Sequence, residues 1–254
     1  MSDARDDAHA AIRVERVSKR YERRHADAML LRDLVPHGAR RARVDDEFWA
    51  LRDVSFEVPS GQALAVLGAN GSGKTTLLSL IAGATLPTEG RVSVRGRVAP
   101  VLGLGVGFEP DMTAVENAYL SASLLGVAER DVRKVLAEIL AFADLGDFVD
   151  TPVRHYSNGM LARLGFAVVM HVEREIMLVD EVLAVGDLAF RDKCLDRART
   201  LLARGLTLLL VTHDVSMALE TCSRGVWLRD GRVELDADIG ECVRRYEEFL
   251  RHES

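Results

Sequence analysis

The sequence predicts an α/β fold built on a mostly parallel sheet, with an antiparallel β subdomain and an inserted helical subdomain. Three observations carry this prediction. Apolar runs at residues 63–67, 175–179 and 207–211 are separated by longer helical stretches, as parallel strands with crossovers require. Alternating runs at 11–17 (AIRVERV) and 54–58 (VSFEV), the second stopped by Pro59-Ser-Gly61, read as an antiparallel opening. Between residues 113 and 143, VENAYLSASLLG and AERDVRKVLAEILAFADL carry helical spacing with no strand between them.

Taken in order, residues 1–10 form a flexible tail and 11–250 a single domain, with the helical subdomain at about 113–170. Residues 22–48 interrupt the antiparallel opening as an insertion of weak periodicity, and 30–43 (LLRDLVPHGARRAR) hold four arginines against one aspartate. That stretch is a solvated loop or short surface helix, or else a dedicated contact surface, since long loops inside compact domains are more often functional than average. Residues 74–82 are helical. The last element, 239–250, is an amphipathic helix with Ile239, Val243, Tyr246 and Leu250 at three- or four-residue steps, a stripe suited to packing on its own domain or on a dimer mate.

At 254 residues and 48% hydrophobic content the chain can bury a substantial core without covalent staples. Its formal charge of -6 makes global attraction to nucleic acid or anionic lipid unexpected, so an anionic ligand must be held locally. Cys194, Cys222 and Cys242 are too far apart for a disulfide framework or a zinc site, which fits a reducing cytoplasm. The acidic opening MSDARDDAHA is no secretion signal, and no apolar run approaches the about 18 residues that cross a bilayer. The expectation is a soluble chain that a partner holds wherever it works on a membrane.

The sharpest motif is Gly68-Ala-Asn70-Gly71-Ser72-Gly73-Lys74-Thr75, followed by Thr76, which fits G-x-x-x-x-G-K-[ST] between a strand and a helix. Glycines let backbone N–H groups turn onto phosphates, and the helix N-terminus adds its dipole. Lys74 would neutralise the β- and γ-phosphates and the Thr75 hydroxyl would ligand Mg2+. This makes the core that of a P-loop ATPase. The strand EIMLV ends in Asp180 and Glu181: Asp180 would hold the metal through water, and Glu181 would polarise the attacking water as general base. A further strand, LLLV, ends in Thr212-His213-Asp214, and ligands gather at the carboxyl ends of parallel strands, so His213 could contact the γ-phosphate.

These three features, with Tyr156-Ser157-Asn158-Gly159-Met160 ahead of a helix, resemble the ATP-binding subunit of an ABC transporter. In that family 156–160 is the signature motif, more often L-S-G-G-Q, so Asn158 and Met160 are departures; Ser157 can still cap the helix and Gly159 still admits a phosphate. The resemblance implies a head-to-tail dimer with two ATP molecules between the cradle of one copy and Ser157, Asn158 and Gly159 of the other. It places a D-loop at 183–187 and an adenine-stacking aromatic at Tyr21, with Phe48 and Trp49 as rivals.

The wording FWALRDVSFEV, VLGLGVGFEPDMTAVENAYL, YSNGMLARLGFA and VDEVLAVGD is similar to the exporters of capsular polysaccharide, O-antigen and teichoic acid, over roughly residues 11–250. The insertion after Tyr21 is typical of that group. Glu109 stands where the family has its Q-loop glutamine, the residue that senses Mg2+ and the permease. The implied cofactors are ATP and Mg2+; the implied partners are a second copy and an integral-membrane permease, with no nucleic acid, at the cytoplasmic face of the inner or plasma membrane. No carbohydrate-binding β-domain is expected after the terminal helix, which leaves sugar recognition to the permease. A soluble ABC-type ATPase acting as an assembly switch is the alternative.

Overall fold

The computed structural model describes residues 10–23, 46–101, 107–172, 174–180 and 188–253. The Arg-rich stretch at 30–43, Glu181 and the segment 183–187 lie outside the described residues.

Strands β1 (Ala10–Arg23), β2 (Asp46–Pro59) and β4 (Glu89–Val94) form an antiparallel sheet in the order β2-β1-β4. The first two are longer than their alternating cores suggest. Tyr21 pairs with Phe48 and Arg23 with Asp46, so ladder continues past residue 22 and begins again before 48. The chain must therefore leave and re-enter this sheet at neighbouring positions, whatever lies between.

The second sheet has the order β5-β6-β7-β3-β8-β9, from Val98–Val101, Ile176–Val179, Thr207–Val211, Ala63–Leu67, Arg224–Arg229 and Arg232–Asp238. Its pairs are parallel except the β8–β9 hairpin at the edge. Both faces of the central strands are covered, which is why they read as continuous apolar runs. Their period-2 alternation sorts side chains between two cores. Leu64, Val66, Ile176, Leu178, Leu209 and Val211 face Ile12, Val54 and Leu51 of the antiparallel sheet together with Leu77 and Leu78 of helix α1 (Lys74–Ile81). Ala65, Leu67, Met177, Val179, Leu208 and Leu210 face the helices on the other side. At the β5–β6 margin, Glu175 accepts hydrogen bonds from the Arg97 amide (2.8 Å) and guanidinium, and these bonds hold its carboxyl down at about 2.

The helical subdomain consists of α2 (Ala114–Leu124), α3 (Glu129–Ala143) and α4 (Asn158–His171), packed on one another. Helix α2 starts at a reciprocal capping box, the Thr113 hydroxyl accepting from the Glu116 amide and the Glu116 carboxylate from the Thr113 amide. Helix α3 buries Val132, Ile139, Phe142 and Ala143. Helices α5 (Leu188–Ala203) and α6 (Val215–Thr221) follow, and α7 (Ile239–Glu253) closes the chain. Helix α7 buries Ile239, Cys242, Val243 and Tyr246 and sets Tyr246 and Phe249 against Trp227 of β8, with centroids 6.0 and 5.2 Å away. Its stripe packs on its own domain; Leu250, expected on that stripe, is 39% exposed, and Cys242 takes a place inside it.

Candidate functional site

At the end of β3 the chain turns through Gly68 to Gly73 into α1. Two glycines are required by close approach. A Cβ on Gly68 would lie 2.4 Å from the Leu228 carbonyl oxygen and 2.5 Å from the Ser72 hydroxyl; one on Gly73 would lie 2.5 Å from the Ala50 carbonyl oxygen, and Gly73 also has φ of +105°. Gly71 differs: its φ of +81° demands glycine, yet a Cβ there would meet nothing within 4 Å. The turn is thus tight against the protein on its inner side and open at Gly71.

Lys74 is buried, and its ammonium donates to the carbonyl oxygens of Gly68 (2.7 Å) and Ala69 (3.0 Å). No side chain caps the first turn of α1 and no acidic residue stands there, so its amides face outward past Gly73 with the positive end of the helix dipole. The buried Ser72 hydroxyl oxygen has no hydrogen-bond partner among the described residues. Asn70 and Thr75 are exposed at the mouth and Thr76 is half-buried. An orphaned buried hydroxyl, uncapped amides, a fixed ammonium and an open Gly71 suit a polyphosphate.

The sheet order places the other candidates. β7 lies beside β3 and β6 beside β7, with Val66 opposite Val211 and Leu210 opposite Val179. Asp180, half-buried, and His213, exposed, therefore leave the same carboxyl edge as the cradle. The His213 turn is braced by residues that sequence reading did not single out. The Thr212 hydroxyl accepts the Asp214 amide at 2.9 Å, Asp214 caps α6 through the Ser216 and Met217 amides, and Arg191 of α5 pairs with its carboxylate at 2.7 Å. Burial works to raise the Asp214 carboxyl, but the Met217 amide, Arg191 and the Ser216 amide outweigh it and hold the group below its ordinary value. The helix-cap spacing of Asp214 was a readable signal; Arg191 had none.

Glu109 is exposed on the turn that leads from β5 to α2, and its amide donates to the side chain of Asn117 at 2.7 Å. Ser157 caps α4 by accepting the Met160 amide at 3.2 Å, with Asn158 exposed and Gly159 half-buried beside it. The structure does not bring this segment to the cradle. Helix α4 packs on α2, α3, α5 and β5, whereas α1 packs on β2, β4 and β7.

A cavity of about 560 Å³ opens beside Gly71 and is lined by Phe48, Trp49 and Arg52 of β2 and by Asp230 and Gly231 of the β8–β9 turn. Tyr21 does not line it; its ring stands across the ladder from Phe48, 40% exposed, with the Lys19 ammonium 5.1 Å from its centre. Trp49 faces the Arg20 guanidinium at 5.6 Å.

The ABC transporter family model matches residues 51–184. The chain is 42% identical over 244 residues to the O-antigen export system ATP-binding protein RfbB of Klebsiella pneumoniae, covering 95% of this chain and 99% of that one. The chain belongs to the ABC transporter family. This ABC subunit is also 37% identical over 240 residues to the teichoic acids export ATP-binding protein TagH of Bacillus anthracis, covering 94% of itself and 43% of that longer protein. Its fold is that of solved ATP-binding cassettes. The dimeric cassette MJ0796 bound to ADP and Pi superposes with a TM-score of 0.72 at 23% identity, over 90% of this chain and 98% of that one. Another, the ATP-binding subunit of an ABC transporter, gives 0.74 at 23% identity, over 93% of each. Among the described residues no helix of the ABC subunit is long and apolar enough to cross a membrane.

Proposed function

We propose that this ABC-type ATPase works as a head-to-tail dimer that hydrolyses ATP to drive export of a lipid-linked polysaccharide or related cell-envelope glycan through a partner permease. The observation that carries this reading is the likeness to an O-antigen export ATP-binding protein along nearly the whole of both chains. The subunit would sit peripherally on the cytoplasmic face of the inner or plasma membrane, held there by the permease.

In this reading Gly68, Asn70, Gly71, Ser72, Gly73, Thr75 and Thr76 bind the phosphates through backbone amides and side chains, the buried Ser72 hydroxyl having no competing partner among the described residues. Lys74, already anchored by two carbonyl oxygens, supplies a fixed positive charge without having to order a flexible stem when nucleotide arrives. Thr75 would ligand Mg2+ and Asp180 would hold it through water, and the bound ion would neutralise phosphate charge as it develops. No group of three or more His, Cys, Asp or Glu gathers as a metal site among the described residues, and this ligand set, completed by nucleotide oxygens, needs none. Glu181 takes the proton of the attacking water, and His213 orients at the γ-phosphate. Glu109 serves the Q-loop position as a second sensor of the metal. Ser157, Asn158 and Gly159 reach the nucleotide held by the other copy. The adenine stacks on the aromatic edge of β1 and β2, where Tyr21 meets Phe48 and where Phe48 and Trp49 border the cavity at Gly71.

The test is Mg-ATP hydrolysis by the purified chain and by Glu181→Gln, alone and with a co-expressed candidate permease. Turnover that the substitution abolishes, with nucleotide binding retained and an ATP-dependent dimer enriched, is expected. Equal hydrolysis by both proteins removes the role of Glu181. ATP-dependent dimerisation with no turnover in any form would replace transport by an assembly switch.

A further inference from the structure

Asn117 is fully buried on α2, and every polar atom of its side chain is committed to one turn. Its Oδ1 accepts the Glu109 amide at 2.7 Å, and the two N–H groups of its Nδ2 are shared among the carbonyl oxygens of Glu109 (3.1 Å), Met112 (3.1 Å) and Thr113 (3.0 Å). Helix α2 does not need this residue for its own N-terminus, because the Thr113–Glu116 capping box already serves it. A buried amide so fully engaged specifies one backbone conformation, since any other leaves its donors unmet in an apolar surround.

The same turn is fastened to the segment ahead of α4. The Val153 amide donates to the Met112 carbonyl at 2.9 Å, the Arg154 amide to the Pro110 carbonyl at 3.0 Å, and the Arg154 guanidinium pairs with Asp111. Three residues beyond Arg154 stands Ser157.

We propose that Asn117 is a positioning residue for ATP hydrolysis: it locks the turn that presents Glu109 and, through Val153 and Arg154, makes that turn one rigid body with the segment that presents Ser157. The inference rests on the nucleotide roles proposed above for Glu109 and Ser157. Glu109 and Ser157 belong to different nucleotide sites of the dimer, so Asn117 would make a shift at one site felt at the other.

Two measurements test it. In the parent protein, amide hydrogen exchange should show Glu109, Val153 and Arg154 protected to a similar degree and opening together. Free exchange of Glu109 while Val153 and Arg154 stay protected overturns the single-body claim without any variant having to fold. The second is a double-mutant cycle on ATPase kinetics. Asn117→Ala should lower kcat about 10- to 100-fold, the scale of a small misplacement of a reacting group, while affinity for the fluorescent analogue TNP-ATP stays within about twofold because the cradle is untouched. Combining it with Glu109→Ala should add nothing beyond the larger single effect. Multiplicative losses, or TNP-ATP binding and thermal midpoint falling in step with kcat, mean that Asn117 is only a fold residue. A parent chain with no ATPase overturns the functional reading itself; an active parent with a multiplicative cycle overturns the role of Asn117 alone.

Discussion

Lys74 is an ammonium held almost out of water by two carbonyl oxygens, so its removal takes a charge from the cradle and leaves those oxygens unmet. Lys74→Ala should weaken TNP-ATP binding at least about tenfold, the worth of a charge-assisted contact, with the circular dichroism spectrum unchanged; undiminished binding would move the phosphates elsewhere. Gly73→Ala should act on the fold instead. The added Cβ would lie 2.5 Å from the Ala50 carbonyl oxygen and 2.7 Å from Leu51 at a φ of +105°, so a loss of about 1–3 kcal/mol in urea unfolding is expected. At this scale the cradle was legible because its chemistry demands a fixed spacing of glycines ahead of a lysine. Asn117 and Arg191 were not, because their roles come from contacts made after folding: Asn117 turns back on a loop eight residues earlier, and Arg191 meets Asp214 across 23 residues.

Among the elements, α4 ends on a largely buried titratable group. His171, its last residue, is buried, its Nδ1 2.7 Å from the Ala167 carbonyl oxygen and its ring edge-on to Phe142 at 5.1 Å. Burial is the first cause that pushes its pKa below 6.5; the Ala167 carbonyl and Glu138 of α3 oppose this, while Arg197 and Lys193 of α5 add to it. The folded form then resists the proton that the unfolded form accepts. Stability from this group is complete above the unfolded pKa of about 6.5 and declines as pH falls from there through the lower folded value. The urea midpoint should drop as pH falls below about 6.5, and His171→Met should flatten that drop; an identical slope in the variant would assign the acid sensitivity to other groups. The central strands were legible because both of their faces are apolar and period 2 merely divides them between two cores. Strand β4 was missed because it is an edge strand whose residues are exposed or half-buried throughout, and β5 because it is four residues long and contains Pro100. The β8–β9 hairpin carried a readable Asp230-Gly231 turn, with both residues at positive φ, and was simply not taken up. Helix α5 carried a readable stripe, with Phe190, Cys194 and Ala198 buried at four-residue steps among its charges, and was likewise not taken up.

For the whole molecule, the separation of α1 from α4 has the strongest consequence. The cradle belongs to the sheet, Ser157 to the helical subdomain, and among the described residues the elements that α1 and α4 chiefly pack against differ. On the proposed head-to-tail dimer one nucleotide would touch both across two copies, and a symmetric pair would offer two such composite sites. Ser157 is exposed at the start of α4 and its hydroxyl caps that helix, so an arginine there would block the proposed interface and cost the monomer no more than a cap, about 1 kcal/mol. Ser157→Arg should therefore bind TNP-ATP like the parent and hydrolyse almost nothing, while Lys74→Ala should lack both binding and turnover. Mixed together, the two inactive proteins can form a dimer in which the intact cradle of the Ser157→Arg copy faces the intact Ser157 of the Lys74→Ala copy. That pairing rebuilds one complete site out of two, so the mixture should recover a Mg-ATPase activity that neither protein has alone, rising with total protein concentration as dimers form. Activity that stays at the level of the separate proteins at every mixing ratio would mean that Ser157 and Lys74 do not serve a shared nucleotide across two copies.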